Sequence, residues 1–237
     1  MKKNEILQSY YSRIYRRYDL VNRIFTFGLD KKWRNHTIRE CLSLSPSRVL
    51  DLCCGTGDLA IGLCRQASSE TIVTGYDLNK EMLGIARIKA DKYGVSPRFL
   101  QGNAGSMPFQ DEEFDCITIG FGFRNLTFEN PERDLHISEM TRVLRKGGSL
   151  FILESSKPDN IILKKIYAFY VKNVLVPVGG ILSGEWNAYR YLSKSSSGFY
   201  SFEQLEDLLR KFGLQLTMNR KFMFGSANLL VAKKITG

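Results

Sequence analysis

The stretch RVLDLCCGTGDLA (residues 48–60) limits the possible folds more than any other part of the chain. An apolar run meets an acid and two cysteines, passes through two glycines and resumes as another apolar run. Such a pattern is a buried strand turning directly into a helix. The same beat continues downstream, where IVTGYD (72–77), PRFLQG (97–102), DCITIGF (115–121) and SLFILE (149–154) read as further buried strands. Amphipathic stretches separate them. GDLAIGLCRQA supplies the first helix, and NKEMLGIARIKADKYG (79–94) opens on an Asn cap and stops at a Gly. NPERDLHISEMTRVLRKGG (130–148) places Leu135, Met140, Val143 and Leu144 on one stripe before a basic, glycine-rich stop.

Strands that alternate with helices require a mostly parallel sheet covered on both faces. Two helices, over 3–17 and 30–42, precede that pattern. After residue 156 it lapses, resumes with a helix at 202–212 and ends on LQLTMNRKF and ANLLVAKK, two strands joined by so short a turn that they must be antiparallel. The 237 residues suit one α/β domain: a helical cap (1–46), a core (47–156), an insertion over the open end of the sheet (157–200) and a closing helix with a strand pair (201–237).

Charge is unevenly distributed. Residues 1–46 hold 10 Lys/Arg against 4 Asp/Glu (+6), residues 47–156 hold 12 against 15 (−3), and residues 157–237 hold 12 against 5 (+7). Basic flanks suit an anionic surface, either nucleic acid or lipid headgroups. The acidic middle argues against RNA, as does the lack of an aromatic-rich basic strand pair or an Asn-Pro-Pro-Tyr-type base-flipping motif. The longest apolar region, IILKKIYAFYVKNVLVPVGGIL (161–182), is broken by Lys164, Lys165 and Lys172, which suits lying on a membrane better than crossing one. A helix packed on the domain with snorkelling lysines is the alternative. Five cysteines without metal-ligand spacing, behind a basic N-terminal helix rather than a secretory leader, point to a reducing cytoplasm. Cys53 and Cys54 read as small buried residues.

At the glycine turn, Gly55, Gly57 and Ala60 fit G-x-G-x-x-G/A, and Asp77 ends the next strand 20 residues after Gly57, placed to accept ribose hydroxyls. Nicotinamide, flavin and S-adenosylmethionine sites all use this pattern. Asp51, four residues before Gly55, would repel a pyrophosphate but suits the ammonium of a methionine moiety; its alternative role is a turn cap. After the third strand, GNAGSMPF places Asn103 and Ala104 to meet an adenine ring. Together these favour S-adenosylmethionine, and a nicotinamide reductase would also need a second nucleotide half that the chain lacks.

VLDLCCGTGDLA, YDLNKEML, GNAGSMPFQDEEFDCITIGFGFRNL, EMTRVLRKGG and ILESSKP stand in the order found in the ubiquinone/menaquinone biosynthesis C-methyltransferases. RRYDLVNRIFTFGLDKKWR and YRYL extend the resemblance to nearly the whole chain. FGFRNL with LESSKP is far more specific than the glycine turn, which marks only class I methyltransferases. The resemblance implies a Rossmann-like, seven-stranded methyltransferase using S-adenosylmethionine to methylate a ring carbon of a polyprenylated quinol. It points towards demethylmenaquinol, leaving the related benzoquinol or another sterol or phenolic acceptor open. It places the cofactor over Thr56, Asp77 with Leu78, Asn103 and Ala104. A serine is common at the position of Gly120, where this chain allows only a backbone contact. Glu is common at Gly105, and Glu-Ser-Ile leading to Phe-Pro where this chain runs KSSSGFY.

Carbon methylation needs a ring made nucleophilic by loss of a phenol proton, and phenols have a pKa of about 10. Arg124, the cation of GFGFRN, is expected to stabilise that oxygen, and Asn125 to hold a hydroxyl or a water. The alternative for Arg124 is an ion pair with an acid such as Glu154. Tyr189 and Tyr191 either line the acceptor pocket or pack, and His36 and His136 read as surface or packing residues. The basic flanks and the 161–182 region then make joint sense, because a polyprenyl substrate resides in a bilayer.

Overall fold

The computed structural model describes residues 3–156, 158 and 160–235. Lys157 of the ILESSKP match, and the side chains of 196–198 in KSSSGFY, lie outside the described residues. The chain opens with α1 (Lys3–Phe25) and α2 (Leu29–Leu42). It then alternates β1 (Arg48–Leu52), α3 (Asp58–Gln66), β2 (Ile72–Asp77), α4 (Lys80–Lys92), β3 (Arg98–Gln101), β4 (Phe114–Gly120), α5 (Phe123–Thr127), α6 (Arg133–Val143) and β5 (Leu144–Ser155). The expected insertion is helical: α7 (Ile161–Tyr170), a π-helical turn (Val171–Leu175), α8 (Val176–Ser183) and α9 (Trp186–Gly198). The chain closes with α10 (Phe202–Arg210), β6 (Leu214–Phe222), a 3-10 turn (Met223–Gly225) and β7 (Ala227–Lys234).

All seven strands form one sheet in the order β3-β2-β1-β4-β5-β7-β6. The first five run parallel, and β7 lies antiparallel between β5 and β6, as the short turn demanded. Side chains alternate across the sheet. Leu50, Leu52, Ile117, Ile119 and Ile152 face α6 and α10, whereas Val49, Val73, Cys116 and Phe151 face α2 and α3. Strands buried on both faces explain the unbroken apolar runs.

Two expectations need correction. The stretch 130–148 is not one helix: α6 stops at Val143, and Leu144 already pairs with Phe114 in β5. The inward stripe of α6 is His136, Ile137, Met140 and Val143, while Leu135 is exposed. One residue is 100° of helical rotation, so a stripe misread by one position swaps an exposed leucine for a buried histidine. In addition, α1 runs eight residues past the expected end at 17, to Phe25.

The insertion does not bury itself in the sheet. It builds a second small core with α1 from Val21, Phe25, Val171, Leu175, Ala188 and Tyr189, over the carboxyl ends of the strands. No side chain of α7 is buried.

Candidate active site

The turn after β1 is shaped by backbone geometry and by two carboxylates. Gly55 and Gly57 have φ of +54° and +80°, the left-handed region. At Gly57 a Cβ would also lie 2.9 Å from Ala86 Cβ and 3.0 Å from the Phe99 ring, so helix and strand close on a bare backbone. Asp77 accepts from the N–H groups of Gly55 and Asn79, both at 2.8 Å, fixing the turn against the end of β2. Burial raises its pKa, with these N–H groups opposing the shift. Asp51 lies beneath the turn, accepting from Ala60 N–H at 2.9 Å and the Thr118 hydroxyl at 3.1 Å. The structure thus gives Asp51 the capping role that the sequence left as its alternative. Burial pushes its carboxyl up to about 7 against both hydrogen bonds.

Beyond Asp77 a cavity of about 40 Å³ opens, lined by Leu78, Asn103 and Ala104, and also by Cys53, Tyr76, Leu126 and His136. Asn103 Oδ1 accepts from Gly105 N–H at 2.9 Å. Cys53 is only half-buried and sits at φ +55° in the tight turn, which goes beyond the small buried residue expected. Gly120, at the end of β4, faces Leu59: a Cβ there would stand 2.8 Å from Leu59 Cδ1, so a side chain at this position requires Leu59 to shift.

Over the turn lies a strap of charged residues. Thr56 Oγ1 donates to Asp19 Oδ1 of α1 at 2.7 Å, and Lys89 of α4 bonds Asp19 at 2.9 Å, Thr56 at 3.3 Å, and Asp58. Arg34 joins from α2, 2.5 Å from the buried Asp30 and 3.9 Å from Asp58. Three helices therefore converge on the turn through ion pairs.

The loop after β4 leads to a different environment. Arg124 and Glu154, each 2% exposed, form a buried ion pair at 3.2 Å; Glu154 also accepts from the backbone N–H groups of Arg124 and Ser155. Burial works against the Arg124 charge, but Glu154, then Tyr11, Tyr167 and Tyr191, outweigh it and hold its pKa above the ordinary value. Its Nε–H is buried without a hydrogen-bond partner. Asn125 bridges two tyrosines, donating to Tyr11 Oη at 2.9 Å and accepting from Tyr191 Oη at 3.4 Å. Phe121 and Ser155, which flank the ion pair in sequence, line an apolar cavity of about 340 Å³ together with Phe25, Phe27, Trp33, Ile166, Tyr167, Tyr170 and Phe224.

The ubiE/COQ5 methyltransferase family model matches residues 1–234. The chain belongs to that family. It is 41% identical over 206 residues to "Demethylmenaquinone methyltransferase" of Thermus thermophilus, covering 87% of this chain and 91% of the relative. It is 40% identical to the Thermotoga maritima protein of the same name, covering 95% and 94%. It is 36% identical to "Ubiquinone/menaquinone biosynthesis C-methyltransferase UbiE" of Geobacter sulfurreducens, covering 98% and 90%. Among solved structures, magnesium protoporphyrin IX methyltransferase of Synechocystis with bound SAH superposes with a TM-score of 0.67 at 17% identity, covering 98% and 99%, which speaks to the fold. A Bacillus halodurans putative methyltransferase gives a TM-score of 0.60 at 19% identity, covering 84% and 99%.

This ubiE/COQ5 methyltransferase is thus a class I α/β enzyme that uses S-adenosylmethionine. The residues present fit that cofactor: a bare turn, a paired acid after β2, and a slot beyond it containing a buried, unpartnered histidine nitrogen. The structure brings Asp77, Leu78, Asn103 and Ala104 to one cavity, ties Thr56 to the strap, and sets Arg124 and Asn125 at the other end of the site. Tyr189 packs edge-on against Phe25 while Tyr191 reaches Asn125, so the two candidate tyrosines part ways. His36, half-buried, stands 3.3 Å from Glu40 and edge-on to Phe222, away from the glycine turn and the apolar cavity. Sequence reasoning missed Tyr11, Asp19, Arg34, Lys89 and His136 as site residues. RRYDLVN, singled out as a motif, held the signal for Asp19.

Proposed function

We propose that this S-adenosylmethionine-dependent methyltransferase of quinone biosynthesis methylates a ring carbon of a polyprenylated quinol, with demethylmenaquinol as its principal acceptor. The observation that carries this reading is a 340 Å³ apolar cavity beside a small polar pole made of Arg124, Glu154, Asn125, Tyr11 and Tyr191. A prenyl tail suits the first environment and a quinol ring the second. The names of the relatives support the same acceptor class.

S-adenosylmethionine supplies an electrophilic methyl group on a sulfonium. The protein must hold a nucleophilic carbon in line with it. Asn125, held between Tyr11 and Tyr191, positions a ring hydroxyl, and the unpartnered Nε–H of Arg124 stabilises the oxygen as its proton leaves. The new carbon–carbon bond uses the ring's electron pair, the carbon–sulfur pair stays on sulfur, and the ring returns to aromaticity with net loss of one proton. Asp77 would hold the ribose, and Asp51, beneath the turn, would lend negative charge to the methionine ammonium.

The acceptor is taken from a bilayer with anionic headgroups. Exposed Ile166 of α7 lines the apolar cavity with Phe27 (69% exposed) and Phe224 (78% exposed); α7 also exposes Ile162 and Phe169 and carries Lys164 and Lys165. Phe224 sits at φ +57°, a costly conformation for a bulky side chain, and strain at an exposed aromatic favours a contact there. Among the described residues no helix is long and apolar enough to cross a membrane. Initial rates in lipid vesicles, with reduced demethylmenaquinone and the corresponding benzoquinol as competing acceptors, test the proposal. Preference for the naphthoquinol supports it; turnover of water-soluble phenols in preference to both would overturn it.

A further inference from the structure

His136 has no part in the chemistry above, yet it is fully buried and lines the 40 Å³ cavity beyond Asp77. Its Nδ1 lies 2.9 Å from the carbonyl oxygen of Leu126. A carbonyl can only accept, so Nδ1 carries the proton and Nε2 is a bare acceptor. That nitrogen is buried without a hydrogen-bond partner; Glu132 Oε2, the nearest charge, is 3.9 Å away. Such an orphan in a native structure calls for an explanation. Two other side-chain acceptors at the cavity are already engaged: Asn103 Oδ1 by Gly105 N–H, and the Asp77 carboxylate by the N–H groups of Gly55 and Asn79. His136 in turn fills the space beside Gly105, whose missing Cβ would lie 3.4 Å from the ring's Cδ2 and 3.0 Å from Leu135.

We propose that His136 is the base-reading residue of the cofactor site, its Nε2 accepting the exocyclic amine of adenine. The proposal rests on the S-adenosylmethionine assignment and goes further, because it predicts what the site rejects. An inosine base presents a carbonyl oxygen where adenine presents its amine, and two acceptors would then face each other. A site built to hydrogen-bond a group rejects the analogue that lacks it, because the buried partner is left unpaired.

The test is titration calorimetry of the whole protein with S-adenosylhomocysteine and S-inosylhomocysteine. Wild type should bind the adenosyl compound about tenfold or more tightly. His136→Leu should bring the two affinities together, while His136→Gln, which keeps an acceptor oxygen, should preserve the preference. Circular dichroism melts establish that each variant is folded, and the wild-type comparison stands even where one is not. Equal binding of both compounds by wild type, or an unchanged ratio in folded His136→Leu, overturns the proposal while leaving the cofactor assignment intact. Failure of wild type to bind S-adenosylhomocysteine at all overturns both.

Discussion

The two ends of the site are built by opposite means. Around the glycine turn nearly every polar group is held by another: Asp77 by two backbone N–H groups, Asp51 by Ala60 and Thr118, Thr56 by Asp19, and Lys89 by Asp19 and Asp58. The proposed acceptor end is an apolar hollow lined by Phe27, Ile166 and Phe224, all three exposed to the outside. The first arrangement suits a polar ligand taken from water, which needs fixed partners and gains from preorganisation. The second suits an apolar ligand that exchanges with another apolar phase, where surface matters more than directed bonds. Arg124 and Glu154 form a buried charge pair between them, and Phe121 and Ser155, close to the pair in sequence, line the apolar cavity.

The largest expected effect comes from breaking that pair. Arg124→Ala leaves Glu154 buried and unpaired, which should destabilise the fold by about 3–5 kcal/mol in denaturant unfolding. Arg124→Met with Glu154→Gln removes both charges and should recover much of that stability. If Arg124 has its catalytic role, the double variant still binds S-adenosylhomocysteine but loses turnover; near-normal turnover would reduce the pair to a structural strut.

Next in size is the polar end. Asp77→Ala should weaken S-adenosylhomocysteine binding by at least about 100-fold, since the carboxylate that anchors Gly55, and that the proposal gives to the ribose, is lost. A change below about threefold by calorimetry would break the comparison on its polar side.

The apolar end predicts the reverse pattern. Phe27→Ser and Phe224→Ser should each leave thermal stability nearly unchanged, yet reduce flotation with anionic vesicles by about tenfold, as about 1.5–3 kcal/mol of aromatic burial in lipid is lost. Flotation that persists in the double variant would mean that this rim does not meet the membrane.

The smallest effect concerns pH. The Asp51 carboxyl is raised to about 7 by burial, above its unfolded value of about 3.9. Between those values the folded state holds the extra proton, so this contribution to stability is lost as pH rises towards 7 and is constant above it. A cation bound near Asp51 draws its pKa down, so S-adenosylhomocysteine affinity should rise with pH up to about 7 and then level. Asp51→Asn should flatten both profiles; an unchanged affinity profile would leave Asp51 as a turn cap with no electrostatic part in binding.

The sheet was legible because its central strands β1, β2, β4 and β5 are largely apolar runs and its crossovers end in glycine or a cap, signals contained within a dozen residues. The turn after β1 was legible for the same reason, with Asp77 closing β2 and Asn103 two residues past the end of β3. What stayed hidden depends on distance. Tyr11 reaches Asn125 across 114 residues, Lys89 reaches Asp19 across 70, and no local pattern announces either pairing. His136 is hidden in the sequence because a stripe drawn through Leu135, one residue earlier, turns it away from the core. The apolar cavity draws on α1, α2, the insertion and the turn before β7, so it exists only after the chain has folded.

The most direct test follows a ¹³C-labelled methyl group from S-adenosylmethionine into reduced demethylmenaquinone held in vesicles, with the product read by carbon NMR. A methyl signal on the aromatic ring carbon, with S-adenosylhomocysteine formed in equal amount, is the predicted result. A signal at a methoxy shift, or label found on no quinol at all, would contradict the account.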